Sequence, residues 1–177
     1  MNSKNVLIPF LIFLMSYNID ANEKISIDLD EDNNDCENIT RDTLIERSFS
    51  SDFVGTFNGK RVEYTASLKE KIIYEKDNPD LPMASFFYTE YIAKNNNQRP
   101  VIFSFNGGPG SASLWLHMGV LGPKVIKVPS DATDDGSPPY KIIDNKLSPL
   151  SDADLVFIDP VGTGYSRAIG CHEGEEF

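Results

Sequence analysis

Little in this sequence lends itself to metal or redox chemistry. Its 177 residues include two cysteines, two histidines and one tryptophan. Cys36 and Cys171 stand far apart, and neither has a partner at CxxC or metal-ligand spacing, so a metal centre is not indicated. Whether the two thiols pair with each other is open at this level, because geometry decides it and spacing does not. Basic residues are scarce as well: 16 Lys and Arg stand against 27 Asp and Glu, a formal charge of -11, and no segment gathers the cations into a stripe. Nucleic acid and anionic membrane surfaces are therefore excluded as expected partners. Nucleotide motifs are missing too. Residues 55–60 lack P-loop spacing, and after Gly162-Thr163-Gly164 comes Arg167 where a dinucleotide fingerprint needs a small residue, so no cofactor is expected.

No apolar run approaches the roughly twenty residues that cross a bilayer. A shorter one does occur: Lys4, an apolar stretch over 6–17 broken by Pro9, and a polar stretch ending at Ala21. That order matches a secretory signal peptide over 1–21, with the mature chain starting near Asn22. The expected product is exported, periplasmic or extracellular, with no stable membrane insertion once the signal is removed. Residues 22–52 read as an acidic, flexible leader, densest in charge at 28–37 (DLDEDNNDCE). The same run is not a calcium loop, since it has no glycine at the turn position.

Residues 53–177 have the composition of a packed domain, in a chain that is 40% hydrophobic and 11% aromatic. Segments 53–57 and 61–68 flank Asn58-Gly59, a pair that favours a tight hairpin. In the second segment Val62, Tyr64, Ala66 and Leu68 alternate with Glu63, Thr65, Ser67 and Lys69, the pattern of an antiparallel edge strand. Residues 83–93 predict another strand, and VIFSF at 101–105 a short strand buried on both faces near the sheet centre. Ser111 is placed to cap a helix whose Leu114, Met118 and Leu121 share a face, ended by Gly122-Pro123. A loop follows at 130–139, then a second apolar strand at 155–158. The fold class that results is α/β, with antiparallel strands leading into a central mixed sheet.

FNGGPGSAS at 105–113 is the most informative stretch. Three glycines and a proline between a buried strand and a helix start leave backbone N–H groups open to a ligand, and a helix N-terminus adds positive potential. An oxyanion or other anion site needs both, and in α/β-hydrolases one oxyanion donor comes from a loop in the equivalent place. Downstream come LGPK and SPLSDADLVFIDPVGTGYSR, the latter at 148–167.

Taken in this order and separation, these motifs resemble the serine carboxypeptidase family, from about Val54 to the C-terminus. The hairpin over 59–68, ASFFYTEYIAK and RPVIFSF look like the bacterial branch of that family. The resemblance implies an α/β-hydrolase fold and a serine-type carboxypeptidase that binds the C-terminus of a peptide. It implies that Gly108 supplies an oxyanion N–H, while the Asn106 amide and the Gly107 N–H hold the substrate's free carboxylate. A neutral amide and a backbone donor suit that role.

Two departures stand out. Many eukaryotic members carry a glutamate where this chain has Val120, and a cysteine where it has Ser111. The resemblance also puts the nucleophile in a GxSxG elbow downstream of DPVGTGYS, with Asp and His further on, so the triad is expected to be absent here and the chain to be an N-terminal fragment. GYSRA around Ser166 imitates the elbow, but a loop separates it from the preceding strand. Ser111 and Ser113 read as helix cap and first turn, and His117 and His172 as packing or surface residues without an Asp orienter. Two rival functions remain: a truncated or peptide-binding pseudo-enzyme, and an esterase or acyltransferase relative, which Val120 permits. With nothing to cover the strand at 155–158, the isolated chain is expected to be loosely folded or poorly soluble.

Overall fold

In the computed structural model, residues 44–94, 98–107, 110–128, 138–173 and 177 are described. The expected signal segment 1–21, the leader up to 43 with Cys36, Gly108, and most of the loop at 130–139 lie outside the described residues. Every described residue falls in the second of the two units into which contacts divide the chain, residues 34–177.

Three long antiparallel strands come first. β1 (Ser48–Phe57) begins five residues before the expected Phe53, and β2 (Lys60–Tyr74) runs well past the expected Leu68. They pair from Phe57↔Lys60 to Ser48↔Lys69 around a turn in which Asn58 (φ 48°) and Gly59 (φ 76°) both take the left-handed conformation. β2 is not the edge strand its alternation suggested, because β1 covers one side and β3 (Pro82–Ala93) the other. The alternation breaks at Ser67, which is buried and shares a 3.0 Å hydrogen bond with Ser50 across the pair.

β4 (Val101–Ser104) follows, then α1 (Leu114–Leu116), a single turn that widens into a π-helical turn at His117–Leu121. β5 (Lys124–Ile126) and β6 (Ile142–Asp144) form a small separate antiparallel pair. A 3-10 turn at Pro149–Ser151 leads into β7 (Asp154–Ile158), and a short β8 (Arg167–Ala168) pairs with the start of β3. The main sheet has the order β1-β2-β3-β7-β4, in which β7 is antiparallel to β3 and parallel to β4. The result is a mixed sheet with few helices, compatible with part of an α/β fold.

Two expectations about this sheet are reversed. The strand at 155–158 is flanked on both sides and its Leu155, Val156 and Phe157 are buried. VIFSF instead supplies β4 at the edge, where Val101 and Phe103 are 46% and 64% exposed. A parallel edge needs an in-plane neighbour and a layer on each face before its residues are buried, and β4 has β7 alone among the described residues.

The core is aromatic. Phe57, Tyr64, Tyr91 and Phe157 form a chain of edge and tilted contacts at 5.8–6.1 Å, closed by Leu150 and Leu155. Such pairs add about 0.5–1.5 kcal/mol each beyond the area they bury. Burial pushes the Tyr64 hydroxyl up to about 12 and that of Tyr91 higher still. Asn58 ties the hairpin turn to the 3-10 segment, its Nδ2 donating to the Ser148 carbonyl (3.2 Å) and Ser151 Oγ (2.9 Å).

Candidate active site

The parallel pair β4/β7 directs two loops to the same end of the sheet, residues 105–113 after β4 and 159–166 after β7. In open α/β sheets that is the end where ligands bind. Asn106 is half-buried and its Oδ1 accepts from the Leu116 N–H at 3.4 Å. Gly107 is exposed, and a Cβ there would meet nothing within 4 Å. Gly110 has φ 91°, a conformation that side chains rarely adopt, so the loop can fold back here only at glycine. Gly108, the expected oxyanion donor, lies outside the described residues.

The helix after the loop differs from the expected one. Ser111 does not cap it; Ser113 occupies the N-cap position, and no side-chain cap is made. Leu116 and Leu121 pack on the core while Leu114 and Trp115 point outward, Trp115 being 72% exposed. One α turn followed by a π turn shifts the buried face away from Leu114 and Met118. It also leaves too few aligned peptides for the dipole expected of a longer helix.

Ser113 is buried for a different reason. Its hydroxyl donates to the Ile158 carbonyl, with the Ser104 carbonyl 3.5 Å away, and its N–H donates to Asp159 Oδ1 at 2.7 Å. Asp159 is the centre of the second loop as well. Its carbonyl accepts from Ser166 Oγ (2.7 Å), and its carboxylate lies so close over Gly164 (φ 52°) that a Cβ there would sit 2.3 Å from Oδ2. Ser166 itself is fully buried, and Phe87 N–H donates to its hydroxyl at 2.9 Å. A hydroxyl engaged at both ends inside the protein is no nucleophile, in keeping with its lack of an elbow.

His117 is a core histidine. Its ring stacks on Phe157 with centroids 4.5 Å apart, and Nε2 meets the Tyr91 hydroxyl at 2.5 Å. Burial pushes the imidazole down to about 4, against the opposing pull of the Asp159 charge. His172 is half-buried, with its N–H on the Ile169 carbonyl at 3.4 Å, and Cys171 is disulfide-bonded.

Val120 is exposed and contributes its carbonyl, not its side chain: Asn145 Nδ2 donates to it at 2.7 Å and to the Gly122 carbonyl at 2.9 Å. Asn145 and fully buried Ser148, whose Oγ donates to the Leu121 carbonyl at 2.7 Å, hold the LGP turn to the segment that follows β6. Asn145, Asp159 and the anchoring role of Ser113 escaped the sequence reading. Nothing in one dimension shows what a carboxylate will face.

Among the described residues no group of His, Cys, Asp and Glu is arranged to hold a metal ion, and no helix is long and apolar enough to cross a membrane. Two surface hollows, of 310 Å³ beside Arg61, Glu63 and Lys94 and of 580 Å³ beside Leu44, Ile72 and Tyr74, are lined by neither active-end loop. The arrangement can therefore present main-chain and amide donors to an anion. A hydroxyl nucleophile paired with a base is not assembled among the described residues.

Comparison with known proteins shows the family of the chain. The chain belongs to the serine carboxypeptidase family, whose model matches residues 74–170, more than half of its length. It is 36% identical over 102 residues to the pheromone-processing carboxypeptidase KEX1 of Saccharomyces cerevisiae (strain JAY291), covering 57% of this chain and 12% of that protein. It is 38% identical over 86 residues to carboxypeptidase Y homolog A of Leptosphaeria maculans, covering 48% of this chain and 14% of that protein. The matched stretch thus spans only a small part of the relatives' own length.

Proposed function

We propose that this chain is the front portion of an exported serine-type carboxypeptidase, which releases C-terminal residues from peptides by acyl transfer. The carrying observation is the meeting of the glycine loop at 105–113 with the DPVGTGYS loop at the C-terminal ends of β4 and β7, clasped through Ser113 and Asp159. In this reading Asn106 Nδ2 and the Gly107 N–H receive the substrate carboxylate, and the Gly108 N–H receives the oxyanion. The serine, aspartate and histidine of the triad come from elsewhere, since Ser113 and Ser166 are buried and bonded and His117 is engaged by Tyr91 and Phe157. The disulfide at Cys171 supports an oxidising compartment and hence export. The bacterial-branch affinity rests on the 59–68 hairpin and its neighbouring strands alone, while the relatives named above are fungal.

A relative that uses the same loop for ester hydrolysis or acyl transfer is the second reading. It is favoured by the exposed aliphatic Val120, which has no donor to offer a carboxylate. Sequencing through the 3′ end of the coding region and assaying the full gene product tests all of this together. The expected result is an open frame encoding GxSxG, then Asp, then His, and a product that cleaves an N-blocked dipeptide with a free C-terminus far faster than its amide. Equal rates on acid, amide and ester point to the second reading. A product with no turnover and no labelling by a fluorophosphonate leaves a peptide-binding protein.

A further inference from the structure

The glycine loop is fastened at both ends to the last residues of a single strand. Ser104, where the loop leaves β4, is the ladder partner of Phe157. Ser113, where it ends, donates its hydroxyl to the carbonyl of Ile158, the next residue along β7, and its N–H to the carboxylate of Asp159, the one after. Three consecutive positions of β7 and its exit thus set the span of the loop. Asp159 is itself held from three directions: its N–H donates to the Phe87 carbonyl at 3.0 Å, its carbonyl accepts from Ser166, and its carboxylate rests over Gly164. Both loop ends are polar groups out of contact with water, where a hydrogen bond left unmade is costly.

We infer that Ser113 and Asp159 are positioning residues: together they fix both ends of the glycine loop, and with them Asn106 and Gly107, in the geometry needed to receive the substrate's negative charge. Neither touches substrate. Donors act on an anion only if they are already aimed at it, so a loop freed at one end loses affinity for the substrate carboxylate as well as rate. This inference rests on the carboxypeptidase reading for its kinetic consequence, but the clasp itself can be measured without turnover.

The test uses the full gene product carrying S113A, D159A or D159N. Asn keeps an oxygen to accept the Ser113 N–H, so D159N is expected to rescue most of what D159A loses. Amide hydrogen exchange is read on peptides covering 104–117. Faster exchange there in S113A and D159A, with β2 and β3 peptides unchanged and D159N close to wild type, is the expected result. On the free-acid dipeptide, the two alanine variants should lose about tenfold to a hundredfold in kcat/KM, and D159N far less. Unchanged exchange in 104–117 in both alanine variants overturns the inference whether or not the protein is an enzyme. Loosened exchange with wild-type kcat/KM overturns the positioning role. An inactive wild type whose alanine variants still loosen the loop refutes the carboxypeptidase reading and leaves the clasp standing.

Discussion

The buried imidazole of His117 makes acid stability the sharpest test of the packing. Its Nε2 meets Tyr91 and its ring lies flat on Phe157, so the folded state holds it neutral, with a pKa of about 4 against 6.5 when unfolded. The sign follows from proton counting. Between those two values the unfolded chain binds a proton that the folded chain refuses, so stability rises with pH across the window and is lost as pH falls from about 6.5 to 4. A difference near 2.5 units at 1.36 kcal/mol per unit sets a ceiling of about 3.4 kcal/mol, and partial exposure brings the expectation to about 2–3 kcal/mol. The carboxylates held below their usual range, Glu46 and Glu70 among them, add losses only below about pH 4.5, so the window from 6.5 to about 5 belongs to the histidine. Urea unfolding between pH 7.5 and 4.5 reads the slope. His117→Phe keeps the aromatic stack and removes the titration at a cost of about 1 kcal/mol for the lost Tyr91 bond, so it starts below wild type at neutral pH and the two curves cross on acidification. With only two histidines in the chain, NMR titration assigned by the same variant reads the pKa directly. An imidazole titrating near 6.5, or parallel stability curves for the two proteins, refutes the reasoning.

Three further outcomes are expected. Asn145→Ala strands the Val120 and Gly122 carbonyls and the Leu147 N–H, and should lower unfolding free energy by about 2–3 kcal/mol in urea titration. Gly164→Ala drives a Cβ into the Asp159 carboxylate at a left-handed φ, and should cost at least about 2 kcal/mol in the same assay, whereas Gly59→Ala meets open space and bears only its backbone strain. Phe103→Lys on the exposed edge of β4 should increase the soluble yield of the isolated chain and leave its far-UV circular dichroism unchanged; equal aggregation would mean that β4 is not the sticky edge.

Local chemistry carried a good deal of this protein into its sequence. The Asn58-Gly59 turn, the strand ending at Ala93, the apolar strand before Asp159-Pro160 and the glycine loop between strand and helix all depend on backbone preferences that act within a few residues, and all are where the sequence put them. Asn106 and Gly107 likewise lie in the loop after β4, where the sequence put them. Tertiary structure alone decided which strand is an edge. VIFSF and DLVFI are equally apolar, yet only the second has neighbours on both sides, because burial depends on strand order and strand order on pairings between residues far apart in the chain. It also decided that Ser113 anchors rather than caps, that Ser166 is locked rather than reactive, and that Asp159 joins the two loops. Each of those roles is set by what stands opposite a side chain after the sheet has formed, and a periodicity of two or 3.6 cannot encode a partner forty residues away.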